Sequence, residues 1–100
     1  DPTHVAAFNH LGYCHRKLEQ YDDALRAYTR CISLAPDNVR AYNNRAFILA
    51  KLERYAEAVE DYTVVLRYEP RSVHAYHNRG ISYDKMGLID QAIADFTKVG

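Results

Sequence analysis

Side chains able to do nucleophilic, acid–base or metal chemistry are sparsely placed in this sequence. His74 and His77 lie three apart, one helical turn, and could share a metal ion. No cysteine or carboxylate stands where it would complete a tetrahedral set, and Asp84 lies more than a turn beyond. Cys14 and Cys31 are the only cysteines and sit inside helical patterns, which reads as buried free thiols in a reducing compartment. No Ser/His/Asp or Cys/His arrangement and no glycine-rich loop stands out. The expectation is a non-enzyme with no cofactor and no bound metal. What recurs instead is the side-chain amide, in "FNHLGY" at 8–13, "YNNRAF" at 42–47 and "YHNRGI" at 76–81. Asn44 and Asn78 stand in register, with His10 in the same register before them. An asparagine amide offers both a donor and an acceptor, so it can pair with a peptide unit of an extended chain. Tyr13, Phe47 and Ile81 form a second row in register, able to take side chains. The competing reading is that the asparagines bond neighbouring helices and set the angle between them.

Elements that could hold such rows are written in a strict period of 34 residues. Pro2, Pro36 and Pro70 repeat at that spacing, as do Ala24, Ala58 and Ala92, and Tyr28, Tyr62 and Phe96. An unbroken period of this length marks a stacked array in which each unit buries its apolar face against the next. Within a unit, apolar residues recur at helical spacing: Phe8, Leu11, Gly12, His15 and Leu18, then Ala24, Leu25, Tyr28, Cys31 and Ile32. Prolines stop the second helix of a unit, and Asn38 and Ser72 stand where N-caps should open the next. The spacing predicts helices near 5–18, 22–34, 39–52, 56–68, 73–86 and 90–99. The units run over 5–38, 39–72 and a shortened 73–100, with 1–4 as the tail of a preceding unit, all in one domain. Aligning the units pairs Leu11 with Ala27, Arg45 with Asp61 and Arg79 with Asp95, so the two charged pairs should be partly exposed salt bridges within a unit.

Composition narrows the function classes. The 100 residues are 48% hydrophobic and 26% charged, a folded rather than a disordered balance. Formal net charge is zero, so no global field draws nucleic acid or an anionic membrane. No apolar run approaches the length of a membrane span, and "DPTHVAAF" is no signal peptide, so a cytoplasmic location is expected. Charge is nonetheless unevenly spread. The helical-wheel face opposite the core collects Ala6, Asn9, His10, Tyr13, Arg16 and Lys17 from the first unit. The second unit adds Arg40, Asn43, Asn44, Phe47, Ala50 and Lys51; the third adds His74, His77, Asn78, Ile81, Asp84 and Lys85. Five cations against one acid give this face about +4, which suits a neutral-to-acidic guest.

Phe8-x2-Leu11-Gly12, then Ala24-x3-Tyr28, then Pro36 resembles the tetratricopeptide repeat. Tyr42, Ala46, Ala58, Tyr62 and Pro70 repeat it, as do Tyr76, Gly80, Tyr83, Ala92 and Phe96. The resemblance implies an all-α fold, a right-handed superhelical solenoid of antiparallel helix pairs, about three repeats long. It implies that first helices line a concave groove and that the function is protein–protein interaction with a protein or peptide partner. The amide ladder is similar to those of family members that grip extended peptides. Co-chaperone members clamp terminal carboxylates with five basic and amide residues; their counterparts here are Asn9, Tyr13, Asn44, His74 and Asn78. Only Asn44 matches, and three cations are missing, so the resemblance does not extend to that clamp. Arg45 and Arg79 replace usual apolar residues, and Glu19 and Glu53 stand where glycine often turns the chain. The third unit is cut short, so its apolar face should be bare. An alternative function follows: a structural or regulatory arm of a larger enzyme or multiprotein assembly, acting through its solenoid ends by self-association.

Overall fold

The computed structural model describes residues 2–99. Six helices follow in order: α1 (Pro2–Lys17), α2 (Tyr21–Leu34), α3 (Val39–Lys51), α4 (Tyr55–Tyr68), α5 (Val73–Lys85) and α6 (Ile89–Val99). Asp1 and Gly100, expected in a preceding unit's tail and at the third unit's end, lie outside the described residues. All limits but one fall within a residue of the spacing-based prediction. The exception is the start of α1, which takes in Pro2, Thr3 and His4 instead of leaving them as a separate tail. Proline suits the first turn of a helix, because its φ is preset and its missing N–H would have had no partner there.

Local chemistry sets the other ends. The Asn38 side chain accepts the Ala41 amide at 2.8 Å and the Ser72 hydroxyl accepts the Ala75 amide at 3.2 Å, capping α3 and α5 as expected. Asp22, Asp23, Glu57 and Asp90 occupy the first turns of α2, α4 and α6, where the helix dipole favours acids. Each hairpin turn closes with a left-handed residue: Glu19 (φ 58°), Glu53 (φ 61°) and Gly87 (φ 79°). Around them the chain makes paired 6→1 and 5→2 bonds, as in Gln20 N–H to His15 at 2.8 Å and Glu19 N–H to Arg16 at 2.9 Å.

Successive helices pack on one another to make an all-α repeat solenoid of 40 × 25 × 18 Å. The main core gathers Ala46, Leu49, Ala58, Tyr62, Val65, Leu66 and Ala75. A second cluster joins Ala24, Tyr28 and Ile48 across α2 and α3. Burial of each large side chain contributes about 1.5–3 kcal/mol. Gly12 lets Tyr28 close on α1, since a Cβ there would sit 2.6 Å from the ring.

Three expectations about burial fail for one reason. Leu11 is 45% exposed, Leu18 is 68% exposed, and the Cys14 thiol is exposed rather than buried. Inner helices use two stripes, one toward their own partner and one toward the unit before. Ile48 and Ser82, the counterparts of Cys14, are buried by that second stripe. Nothing among the described residues covers it on α1.

The ion pairs form as aligned but are drier than expected. Arg45 donates to both Asp61 oxygens at 2.7 and 2.8 Å, and Arg79 to both Asp95 oxygens at 2.7 Å. Both aspartates are 4% exposed, so the pairs are largely buried and breaking one is costly. Each arginine also reaches back one unit: Arg45 to the Thr29 hydroxyl at 3.5 Å and Arg79 to the Thr63 hydroxyl at 3.1 Å.

Candidate functional site

First helices α1 and α3 bring their outward faces together at a cavity of about 350 Å³ lined by Asn9, His10, Tyr13, Arg16, Arg40 and Asn44. Every one of these residues belongs to the wheel face read off the sequence. A wider hollow of about 510 Å³ adjoins it, sharing Asn9, His10 and Arg40 and adding an apolar wall of Pro2, Val5, Ala6, Leu34 and Ala35. The two hollows together offer apolar surface beside a few convergent polar groups, the usual composition of a binding cleft.

The amides differ in how open they are. Asn43, Asn44 and Asn78 are half-buried. Among the described residues, the Asn44 and Asn78 side chains make no hydrogen bond. That disfavours the reading in which they tie neighbouring helices together. Asn9, by contrast, is buried rather than open, with its Oδ1 lacking a partner. Its counterpart in the third unit, His77, is exposed and tilts its ring against Phe96 at 5.8 Å. Among the described residues no three potential metal ligands come together around His74 and His77.

The aromatic row is already engaged. The Arg16 guanidinium lies 4.5 Å from the centre of the Phe47 ring and 5.6 Å from that of Tyr13. The Lys17 and Lys51 ammonium groups each sit 5.4 Å from an aromatic centre, Tyr13 and Phe47 in turn. Such contacts are each worth about 0.5–1 kcal/mol at exposed sites. Phe47 also packs into the core beside Ile48 and Tyr28, so it is half-buried and only partly available. The wheel places Arg16 on this face; its stacking across two units is a tertiary contact that periodicity does not reveal. Tyr13 and Ile81 remain exposed, as do Arg40, His74 and Lys85. The third-unit residues His74, His77, Asn78, Ile81 and Lys85 do not line the 350 Å³ cavity.

Buried polar groups elsewhere are held in unreactive states. Burial pushes the Cys31 thiol up, and its S–H points at the Val5 carbonyl 3.5 Å away. Such a thiol is a poor nucleophile. Burial raises the Tyr28 phenol, although nearby Arg16 pulls the other way, and lifts Tyr62 to about 12. The Asp61 hydrogen bond holds the Arg45 guanidinium more firmly protonated still.

Against known proteins, models of the tetratricopeptide repeat match residues 5–38, 27–60 and 73–99. No curated protein matches the chain significantly. Among solved structures it resembles MamA at TM-score 0.91 and 25% identity, covering 95% of this chain and 52% of that one, about half its length. It resembles the second TPR of Spaghetti (RPAP3), bound to the HSP90 peptide SRMEEVD, at TM-score 0.90 and 27% identity, covering 95% and 88% of the two chains. It also resembles the TPR2B domain of yeast Sti1 in its pHsp70 complex, at TM-score 0.91 and 26% identity, covering 97% and 78%. No helix among the described residues is long and apolar enough to cross a membrane. The period, the paired helices and these matches agree, and the chain belongs to the tetratricopeptide repeat family.

Proposed function

We propose that this chain is a protein-interaction scaffold that holds an extended, neutral-to-acidic peptide segment along the face formed by α1, α3 and α5. The observation that carries this reading is that Asn44 and Asn78, one period apart, keep amides with no hydrogen bond among the described residues. Two amides spaced by one repeat are suited to pairing with peptide units of one extended guest. Support comes from similar domains whose structures hold an HSP90 peptide or pHsp70. The SRMEEVD peptide is acidic, and the face here carries an excess of lysine and arginine. The reading carries over the holding of a peptide segment and leaves the carboxylate clamp aside. Of its five positions Asn9 is buried and His74 and Asn78 stand where cations would be needed, so recognition rests on the guest's backbone.

The test uses a peptide selected on this chain from a random library of extended sequences. Asn44→Ala with Asn78→Ala is expected to weaken it by roughly ten- to a hundredfold, about 0.5–1.5 kcal/mol per lost bond, with helicity unchanged. Amidating the peptide's C-terminus should leave its affinity unaltered. Equal affinity for the double variant by titration calorimetry would remove the amide ladder, and a large loss on amidation would restore the carboxylate clamp.

A further inference from the structure

Two arginines break the period on the inner face. Arg16 and Arg40 line the 350 Å³ cavity between α1 and α3, together with Asn9, His10, Tyr13 and Asn44. One unit on, their places hold Ala50 and His74, while amides persist at Asn43, Asn44 and Asn78. The arginine pair is therefore particular to the first seam. Neither arginine pairs with a carboxylate among the described residues, and no acid lines the cavity. Arg16 is half-buried and stacked on Phe47 at 4.5 Å. Stacking fixes the plane of a guanidinium and leaves its edge N–H groups to donate. Both arginines lie close enough to pull on the phenol of Tyr28, whose ring lies against Gly12.

Asn9 adds an independent observation. It is 8% exposed, and its Oδ1 is sealed from solvent with no partner. A sealed, unbonded carbonyl destabilises the fold, and it leaves the NH2 end of the same amide for the cavity that Asn9 lines. All six lining side chains are able to donate a hydrogen bond, and none carries a negative charge. A helix packed before α1 would leave this cavity open. α3 and α5 each have a unit before them, yet Asn44, His77 and Asn78 stay half-buried or exposed.

We propose that the cavity is a pocket for a phosphorylated side chain of the extended guest, with Arg16 and Arg40 as its cations and the Asn9 and Asn44 amides as further donors. The pocket rests on the reading of α1, α3 and α5 as a peptide-holding face. Charge and acceptor count favour a phosphomonoester over a carboxylate. Two guanidiniums around one space match a dianion with three terminal oxygens, whereas a carboxylate brings one charge and two oxygens. The anion also offsets the repulsion between two like charges drawn together by α1 and α3. Asn44 belongs both to this pocket and to the amide row, so a phosphorylated residue seated here has its backbone beside that row.

The probes are an alanine pentapeptide, acetylated and amidated, with serine, glutamate or phosphoserine at its centre, and inorganic phosphate. Binding to the 100-residue chain is read from the side-chain amide signals of Asn9 and Asn44 by NMR. The phosphoserine peptide is expected to bind roughly tenfold or more tightly than the glutamate one, and more tightly than inorganic phosphate. Arg16→Gln and Arg40→Gln should each remove that advantage, with circular dichroism confirming intact helices. Arg40 is exposed, so its variant tests the pocket without disturbing the packing. Arg67→Gln, which removes the same charge from an exposed place on α4, should keep the advantage. Equal affinity for glutamate and phosphoserine overturns the proposal, as does an advantage that survives both arginine variants. Inorganic phosphate binding as tightly as the phosphoserine peptide overturns it too, because it marks an ion site with no part for a guest. Asn78→Ala reads the amide row separately, by weakening all three peptides alike; a row that fails this test leaves the phosphoserine preference to be judged on its own.

Discussion

At the scale of single residues, the charged pairs give the sharpest forecast. Asp61 is held by a bidentate Arg45 in a nearly dry setting. Arg45→Leu alone leaves a buried carboxylate unpaired and should cost about 3–5 kcal/mol in a urea unfolding experiment. Arg45→Leu with Asp61→Ala rebuilds the Leu11 and Ala27 arrangement of the first unit and should recover most of that loss. The pairing is legible in the sequence, because three aligned units show cation with anion and apolar with apolar. Its dryness is not, since burial depends on Thr29 and the preceding unit closing over the guanidinium. Tyr62 makes a second forecast. An unfolded phenol releases its proton near 10.0, but the folded one holds it until about 12. The unfolded state thus binds fewer protons in that window, so stability is full below about pH 10 and falls as pH rises toward about 12. The loss between about pH 9 and about pH 11 should be on the order of 1 kcal/mol, half of what is complete above about pH 12, seen by comparing unfolding midpoints at the two pH values, and smaller in Tyr62→Phe.

At the scale of elements, the hairpin turns repeat one geometry with unequal residues. Glu19 and Glu53 adopt a left-handed backbone that Gly87 adopts without strain. Glu19→Gly and Glu53→Gly should each raise stability by about 0.5–1 kcal/mol, and Gly87→Glu should lower it by a similar amount, measured as midpoint shifts in thermal unfolding. Nothing lies within 4 Å of a Cβ built on Gly87, so the effect isolates backbone strain. Helix number, order and limits are readable from the sequence because period, caps and prolines agree on them. The second packing stripe is not, since Ala41 and Ile48 interrupt the spacing of the first. Leu11, Cys14 and Leu18 fall on that second stripe in α1, where nothing among the described residues covers it, so they are exposed.

At the scale of the whole molecule, stability is a sum over neighbours rather than a property of one centre. Buried side chains concentrate in α2, α3 and α4, while α1 and α6 each bury only two residues. Native-state hydrogen exchange should therefore show the longest-lived amides in α3 and α4 and the earliest opening in α1 and α6. Uniform protection across all six helices would mean that the units are coupled more tightly than their contacts suggest. Of the candidate groove, the sequence reads the α1 and α3 residues that line one cavity, Asn9, His10, Tyr13, Arg16, Arg40 and Asn44, because they fall on one side of their helices. Its interior is less legible: the buried Asn9 and the stacking of Arg16 on Phe47 arise only when two units meet.

The arginines that lock each unit internally at 2.7 Å reach the unit before through single, longer bonds of 3.5 and 3.1 Å. Pulled from its two termini, the spiral would yield at those joints while each helical hairpin stayed whole. Stretching it in an optical trap should show a reversible, spring-like extension at low force before any hairpin tears open, so a cargo tethered along its length would feel a compliant cable rather than a stiff rod.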